Sequence, residues 1–331
     1  MTAATSHRLD GLEPDNLLAF MALLGLLRAL EIARPDWHPR AYWDMETAPL
    51  RPFLRVAHSA TEEDVTTAAI DGIDVLASVH DFAGQKDINY SRKQCRQLLE
   101  HAAESASTGN RYHVDLLGAL MSDAAIKDDR NETVNPTPLC LLFGQGHQHF
   151  LERLAGVPRD QAPPPRGRGK KAVPISATEC LAEALFHPWH RSDPTFSFRW
   201  DPEEDIRYAL MAGDPTDSAH KPGTQHGANR LAAIGLGALA LVPETRAGRI
   251  RPKLVGGQFD RHGFSFAWPI WSEPATFVAI RSLLSHQDLR TPGSLAHLGV
   301  DHVMVARRIS VGKYMNFTHA QPLRPERRHA A

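Results

Sequence analysis

Two long apolar segments constrain the fold of this chain more than any other feature. Residues 12–31 and 227–243 carry apolar side chains on nearly every helical face, so a helix at either place must be buried. The first segment contains Gly25, and a glycine inside a buried helix permits the close approach of another helix or a sheet. The sequence therefore predicts a core built around two glycine-bearing helices.

The remaining pattern predicts an α+β fold with short, mostly antiparallel strands packed on these helices. Valine-rich and aromatic stretches indicate strands at 196–201, 264–271 and 303–318, and further helices are expected at 61–79, 87–106, 148–154, 177–185 and 274–284. Asn16 and Asn229 head the two apolar segments, which suggests two related halves. The predicted organisation is an N-terminal helix-rich half at 1–156, a basic Pro/Gly-rich loop or linker at 157–174, a C-terminal half at 175–320 and a disordered basic tail at 321–331.

Composition narrows the possible partners. The 331 residues are 42% hydrophobic and 23% charged, which is ordinary for a globular protein, and the formal net charge is −1. Binding to nucleic acid would therefore need a local cationic patch. Three widely spaced cysteines fit neither a disulfide framework nor a zinc ribbon, and the longest apolar run, 17–27, is shorter than the ~20 residues that cross a bilayer. We expect a cytoplasmic protein without a membrane partner.

The stretch from Val303 to Thr318 combines β-branched residues with cations and aromatics. Strict alternation would place Val303, Val305 and Arg307 on one face and Arg308 on the other. Such a strand could hold a phosphate backbone and stack bases, or it could be a solvated edge whose charges discourage aggregation.

Other cations stand beside aromatics, amides or turns. A polar helix presents three of them at spacings of three and four, the 157–174 loop carries a cluster, and two more adjoin Trp200 and Asn229. A solvated helix face and a plain linker remain open as alternatives for the first two groups. The predicted nucleic-acid-binding residues are Lys86, Arg92, Lys93, Arg96, Arg166, Arg168, Lys170, Lys171, Arg199, Arg230, Arg307, Arg308, Lys313 and Asn316.

No catalytic or metal motif is recognisable, so we expect no cofactor, no bound metal and no enzymatic activity. A metal-dependent nuclease is the alternative, and it would use the clusters Asp128-Asp129 and His147-Gln148-His149. Gly144-Gln-Gly146 could bind an anion through backbone N–H groups, although a tight turn explains it as well. A third possibility is a protein-interaction scaffold that exposes Trp268 and Trp271.

Several segments resemble CRISPR-associated proteins of type I effector modules, and the large-subunit-like group of type I-G (formerly I-U) is most similar. The resemblance rests on short motifs spread over most of the chain, at Asn16–Leu30, Phe198–Leu210, Gly227–Leu231, Phe266–Trp271 and Arg307–Thr318. It implies a non-catalytic subunit of an RNA-guided antiviral surveillance complex. The implied partners are guide RNA, target DNA and other CRISPR complex subunits.

Overall fold

The computed structural model describes residues 4–324 except 108, 110, 129, 131, 143–148, 168, 205–222, 247 and 312–313. It has the α+β fold that the sequence predicts. Among these residues, the α-helices are α1 (Leu17–Ala33), α2 (Glu62–Ala77), α3 (Arg92–Ala106), α4 (Tyr112–Leu120), α5 (Phe150–Gly156), α6 (Ala177–Phe186), α7 (His226–Gly235) and α8 (Phe277–Leu284).

Most strands are short, β9 and β10 being the longest, and every named pair is antiparallel. They are β1 (Thr5–Arg8), β2 (Arg40–Trp43), β3 (Pro52–Val56), β4 (Ile126–Asp128), β5 (Thr133–Val134), β6 (Leu241–Arg246), β7 (Arg249–Leu254), β8 (Gly257–Asp260), β9 (Gly263–Trp271), β10 (Val300–Val311), β11 (Tyr314–Phe317) and β12 (Gln321–Pro322). One sheet has the order β1-β3-β2, and a second runs β11-β10-β9-β8 with β12 also paired to β10. Two hairpins, β4–β5 and β6–β7, form two-stranded sheets of their own.

The two apolar helices, α1 and α7, pack directly on each other at the centre of the molecule. A Cβ atom at Gly25 would lie 1.8 Å from the carbonyl oxygen of Leu231, and one at Gly235 would lie 2.1 Å from that of Met21. Both helices therefore need glycine at the crossing, because any side chain there would overlap the other backbone. The expected close approach at Gly25 is confirmed.

The second sheet covers the other side of α1 through aromatic contacts. The rings of Phe20 and Trp268 stack with centroids 5.5 Å apart, and Trp268 Nε1 donates to Pro14 O at 3.1 Å. Trp271 Nε1 donates to Ala41 O at 2.7 Å and so joins β9 to the first sheet. A single hydrophobic cluster runs from Leu9 to Ala320, and it crosses the boundary that the sequence indicated at 157–174.

Two predicted elements are wrong in type or extent. Residues 196–201 form no strand, and they bury Phe198 and Trp200 as stacked rings with centroids 4.5 Å apart. The apolar run 227–243 is α-helical only as far as Gly235. A 3-10 turn at Leu236–Ala238 follows, and strand β6 begins at Leu241. A continuously apolar run has no period that could mark such a change.

The first part of the predicted loop or linker at 157–174 is held against the helices by arginine side chains. Arg230 of α7 donates to Pro158 O and Gln161 O at 3.2 Å each. Arg159 donates to Ala77 O at 3.2 Å, at the end of α2. Arginine forks can hold several carbonyl groups at once, which a composition rich in proline and glycine does not reveal.

The disordered tail predicted at 321–331 starts too early, because its first two residues form a strand. Gln321 and Pro322 pair with Val305 and Met304 of β10 as strand β12. Residues 325–331 lie outside the described part of the chain.

Candidate nucleic-acid interface

The predicted cations of α3 are mostly engaged in ion pairs. Arg96 Nε lies 2.9 Å from Asp123 Oδ2, and Arg92 lies 3.5 Å from Glu132. Lys86 pairs with Glu152 at 3.2 Å, which leaves Lys93 as the exposed cation of the group with no such partner among the described residues. The helix face is thus largely neutralised by neighbouring acids.

Among the cations of the 157–174 loop that were predicted to bind nucleic acid, one is held in ion pairs and two are exposed. Arg166 contacts Glu183 and Asp193, each at 2.6 Å, and these hydrogen bonds outweigh partial burial and raise the pKa of Arg166 above its ordinary value. Its role as a phosphate contact is therefore corrected to a structural one. Lys170 and Lys171 lie exposed on a short 3-10 turn, while Arg168 lies outside the described residues.

Arg230 is the clearest correction among the predicted binding residues. Its side chain is fully buried, and besides the two carbonyl groups named above it contacts Asp74 at 3.3 Å. Burial lowers the pKa of Arg230 below its ordinary value. A phosphate cannot reach this side chain, so Arg230 holds the 157–174 segment in place. Arg199 is half-buried with a φ of +63°.

Three segments that carry the family resemblance meet in the interior. Asn16 caps α1 by accepting from Ala19 N at 3.3 Å, and its Nδ2 donates to Asp201 Oδ1 at 2.9 Å. Asn229 Oδ1 accepts from Phe198 N at 3.4 Å. The contact between Asn16 and Asp201 therefore joins the two predicted halves, whereas that between Asn229 and Phe198 lies within the C-terminal half.

The predicted final strand is a hairpin, β10–β11, and its two arginines have different environments. The face of β10 directed to the core carries Met304, Ala306 and Arg308, whereas Arg307 is exposed and pairs with Asp260 at 3.2 Å. Asn316 is buried, so it is not available as a surface contact. Lys313 lies outside the described residues.

The sequence interpretation missed a cationic hairpin. In β6–β7, Arg246 stands opposite Arg249 and Glu244 opposite Arg251, with Lys253 one pair further. Period-two alternation places these five on one face, and all four cations are exposed. The side chains of Arg249 and Arg251 make no hydrogen bond or ion pair with another described residue. The alternation at Arg249, Arg251 and Lys253 was visible in the sequence, but it lay beyond a segment predicted as helix.

Two cavities flank this hairpin and share Arg246, Arg251, Pro252 and Phe259 as walls. The smaller one, about 480 Å³, lies between the hairpin, the loop after β5 and strands β8, β10 and β11. The larger one, about 810 Å³, lies between the hairpin, β8 and the end of α8. Among the described lining residues, cations outnumber carboxylates in both cavities. The smaller has three arginines and one acid, Asp260, and the larger has three arginines, one lysine and one acid, Glu244.

Arg308 projects into the smaller cavity over two aromatic rings. Its Cζ lies 5.8 Å from the ring centroid of Phe259 and 5.5 Å from that of Phe264, and one N–H donates to Pro138 O at 3.0 Å. Burial lowers the pKa of Arg308 below its ordinary value. On the opposite side of the hairpin, Arg290 donates to Gly256 O and Ser265 O, and burial lowers its pKa to about 10.

The residues named for a metal site are not brought together by the part of the chain that can be described. His149 Nδ1 contacts Asp87 Oδ2 at 2.8 Å, and Asp129 and His147 fall outside the described residues. No group of three histidine, cysteine, aspartate or glutamate side chains there could hold a metal ion. The scaffold alternative required Trp268 and Trp271 to be exposed, and this prediction is wrong because both side chains are buried.

Within the described ranges, no helix is long and apolar enough to cross a membrane. Comparison of the chain with protein-family models, curated proteins and solved structures found no match.

Proposed function

We propose that this chain is a non-catalytic nucleic-acid-binding subunit of a type I CRISPR surveillance complex. The cationic hairpin β6–β7 and the cavities beside it form the binding surface, referred to here as the hairpin cleft. The observation that carries this proposal is the excess of cations over carboxylates there, on a chain whose net charge is −1. Arg246 donates to Phe259 O at 2.8 Å, but like Arg249 and Arg251 it forms no ion pair with a described carboxylate. Phosphate contacts supply most of the affinity in sequence-independent binding of nucleic acid.

The hairpin cleft differs from the other basic groups in its charge balance. On α3, Arg92 and Arg96 each form an ion pair with a carboxylate, whereas the side chains of Arg249 and Arg251 form none with a described residue. Glu244, which stands opposite Arg251, pairs with Lys253 instead. An arginine that already donates to a carboxylate releases fewer counterions from nucleic acid than one that is solvated. The hairpin is therefore the better candidate for a phosphate track.

The CRISPR assignment is supported by the family resemblance and by where its segments lie. Arg307–Thr318 forms the β10–β11 hairpin and supplies Arg308 and Met315 to the smaller cavity. In RNA-guided systems the protein contacts the backbone while base pairing reads the sequence. Sequence-tolerant binding by a surface of this kind fits that division of labour.

Binding of labelled single-stranded RNA, single-stranded DNA and duplex DNA over a range of salt concentrations tests the proposal. Replacing Arg249 and Arg251 with glutamine should remove up to two phosphate contacts and lower the slope of log K against log salt by roughly one to two. The matched control is Arg40→Gln with Arg55→Gln, two exposed arginines that are cross-strand partners in the other sheet.

Equal salt slopes for the native chain and the hairpin variant would overturn the assignment of the site. Absence of nucleic-acid binding by the chain, both alone and when co-expressed with the other effector subunits, would overturn the function. The scaffold alternative predicts partner binding without a salt-sensitive nucleic-acid component.

A further inference from the structure

We propose that the smaller cavity of the hairpin cleft holds one unstacked nucleotide of a single-stranded nucleic acid. The base would lie on the platform formed by Phe259 and Arg308, and the phosphate would contact Arg246 and Arg251. This inference rests on the proposed function and adds to it the strandedness of the ligand and the position of one base.

The size of the cavity suits a single nucleotide. Its volume of about 480 Å³ falls within the range of about 300–1,000 Å³ that is usual for small-molecule sites. A base can occupy such a cavity only after it leaves its stack, which costs least in a strand that is already single.

The floor of the cavity has the composition of a stacking platform. Phe259 is half-buried and its ring centroid lies 5.0 Å from that of Phe264, so the ring is held in place from below. The guanidinium of Arg308 is fixed by Pro138 O and by its position over both rings. Aromatic rings and planar guanidinium groups are the surfaces on which unpaired bases stack.

The remaining walls divide into apolar and charged sides. Pro136 and Met315 offer apolar contact for the base away from the hairpin, while Arg246 and Arg251 stand at the wall shared with the larger cavity. The charge of Asp260, the one carboxylate among the described lining residues, is balanced by Arg307 at 3.2 Å. The arrangement therefore favours an anion on the hairpin side and a planar apolar group on the floor.

The first experiment is photo-crosslinking followed by peptide mass spectrometry. The probes are short oligouridylates with a single 5-iodouridine and the matching DNA with 5-iododeoxyuridine, each also as a blunt duplex. The single strands should crosslink at Phe259, and the duplexes should not. Comparison of the RNA and DNA arms identifies the sugar that the site prefers.

The second experiment compares affinities of point variants for the same single strands. Phe259→Leu keeps an apolar side chain but removes the stacking face, and it should weaken binding about tenfold. Arg251→Gln should weaken binding and crosslinking together. Arg249→Gln is the matched control for the cavity, because Arg249 lies on the same strand and is exposed but lines neither cavity. It should weaken binding without moving the crosslink.

The outcomes separate this inference from the proposed function. If the single strands bind with native salt dependence but crosslink elsewhere, and Phe259→Leu binds as tightly as the native chain, the nucleotide pocket is refuted and the proposed function stands. Equal crosslinking by duplex and single strand would refute the claim about strandedness. No binding of any oligonucleotide by the chain or its assembled complex would refute both proposals.

Discussion

The crossing of α1 and α7 makes a sharp prediction about stability. An alanine Cβ at Gly25 would lie 1.8 Å from Leu231 O, whereas ordinary contact begins near 3.4 Å, so the helices must separate or slide. The nearest atoms, the carbonyl oxygen and carbon of Leu231, belong to the backbone of a buried helix and cannot rotate away as a side chain can. Overpacking a core costs typically about 1–3 kcal/mol, and occasionally more. Alanine regains up to ~1 kcal/mol of helix propensity. Because the overlap is with backbone atoms, we place the overpacking cost at the upper end of this range, so Gly25→Ala should lower the free energy of unfolding by about 2 kcal/mol.

Gly118 in α4 provides a matched control within the same chain. A Cβ built at Gly118 meets no atom within 4 Å, so Gly118→Ala should raise the free energy of unfolding by about 0.5–1 kcal/mol. Denaturant unfolding followed by circular dichroism would measure both midpoints, with unchanged slopes showing that only stability has changed. If Gly25→Ala proved as stable as Gly118→Ala, the proposed close packing of α1 on α7 would be wrong.

Three further predictions concern single side chains. Burial raises the pKa of Glu204 from 4.5 to about 7. The folded state therefore binds the proton of Glu204 more tightly than the unfolded state does. Protonated Glu204 contributes about 3 kcal/mol to the free energy of unfolding below pH 4.5, and this contribution is lost as pH rises through 7. The free energy of unfolding measured from pH 4 to 8 should show this loss, and Glu204→Gln should abolish it. If the variant kept the pH dependence of the native chain, Glu204 would not be the group responsible. Arg230→Ala should lower the free energy of unfolding by at least about 2 kcal/mol, since Pro158 O and Gln161 O lose their donor, yet leave the oligonucleotide affinity of the folded fraction unchanged. Calorimetry and fluorescence anisotropy would measure the two effects, and a binding defect in folded protein would restore Arg230 as a contact. Arg96→Gln on α3 should leave the salt slope within error of the native value, and a decrease by one would show that α3 is part of the interface.

The predictable part of the fold is the part with a clear local signal. Thr61 followed three residues later by Asp64 is the sequence pattern of a capping box at the start of the helix predicted at 61–79, and both of its hydrogen bonds are present at the start of α2. The close approach at Gly25 was predictable because an apolar helix of this kind has to be buried on all sides, and a glycine within it permits another element to come near. By contrast, the stretch 196–201 alternates as a strand should but packs as irregular chain, because stacking of Phe198 on Trp200 and contact with Phe150 determine its conformation. Tertiary contacts of this kind leave no periodic trace in the sequence.

The candidate site was harder to predict than the fold because a cation can bind a phosphate only if no acidic side chain of the protein already pairs with it. Whether an arginine is free depends on acids that are distant in sequence: Arg166 meets Asp193, Arg307 meets Asp260, and Arg230 meets Asp74. Clustering of basic residues along the chain therefore overestimates the charge that a ligand would experience.

Strand pairing can also bring together cations that are separated in the sequence. Arg249 and Arg251 are two residues apart and look unremarkable in the sequence, yet pairing with β6 brings Arg246 onto their face. The one acid on that face, Glu244, contacts Lys253 at 2.8 Å, so the charge of the three arginines remains uncompensated by it. A search for nucleic-acid surfaces in related α+β chains should therefore start from hairpin faces in which arginines outnumber acids across both strands. Counting cations along a single segment would again select those that the fold has already paired.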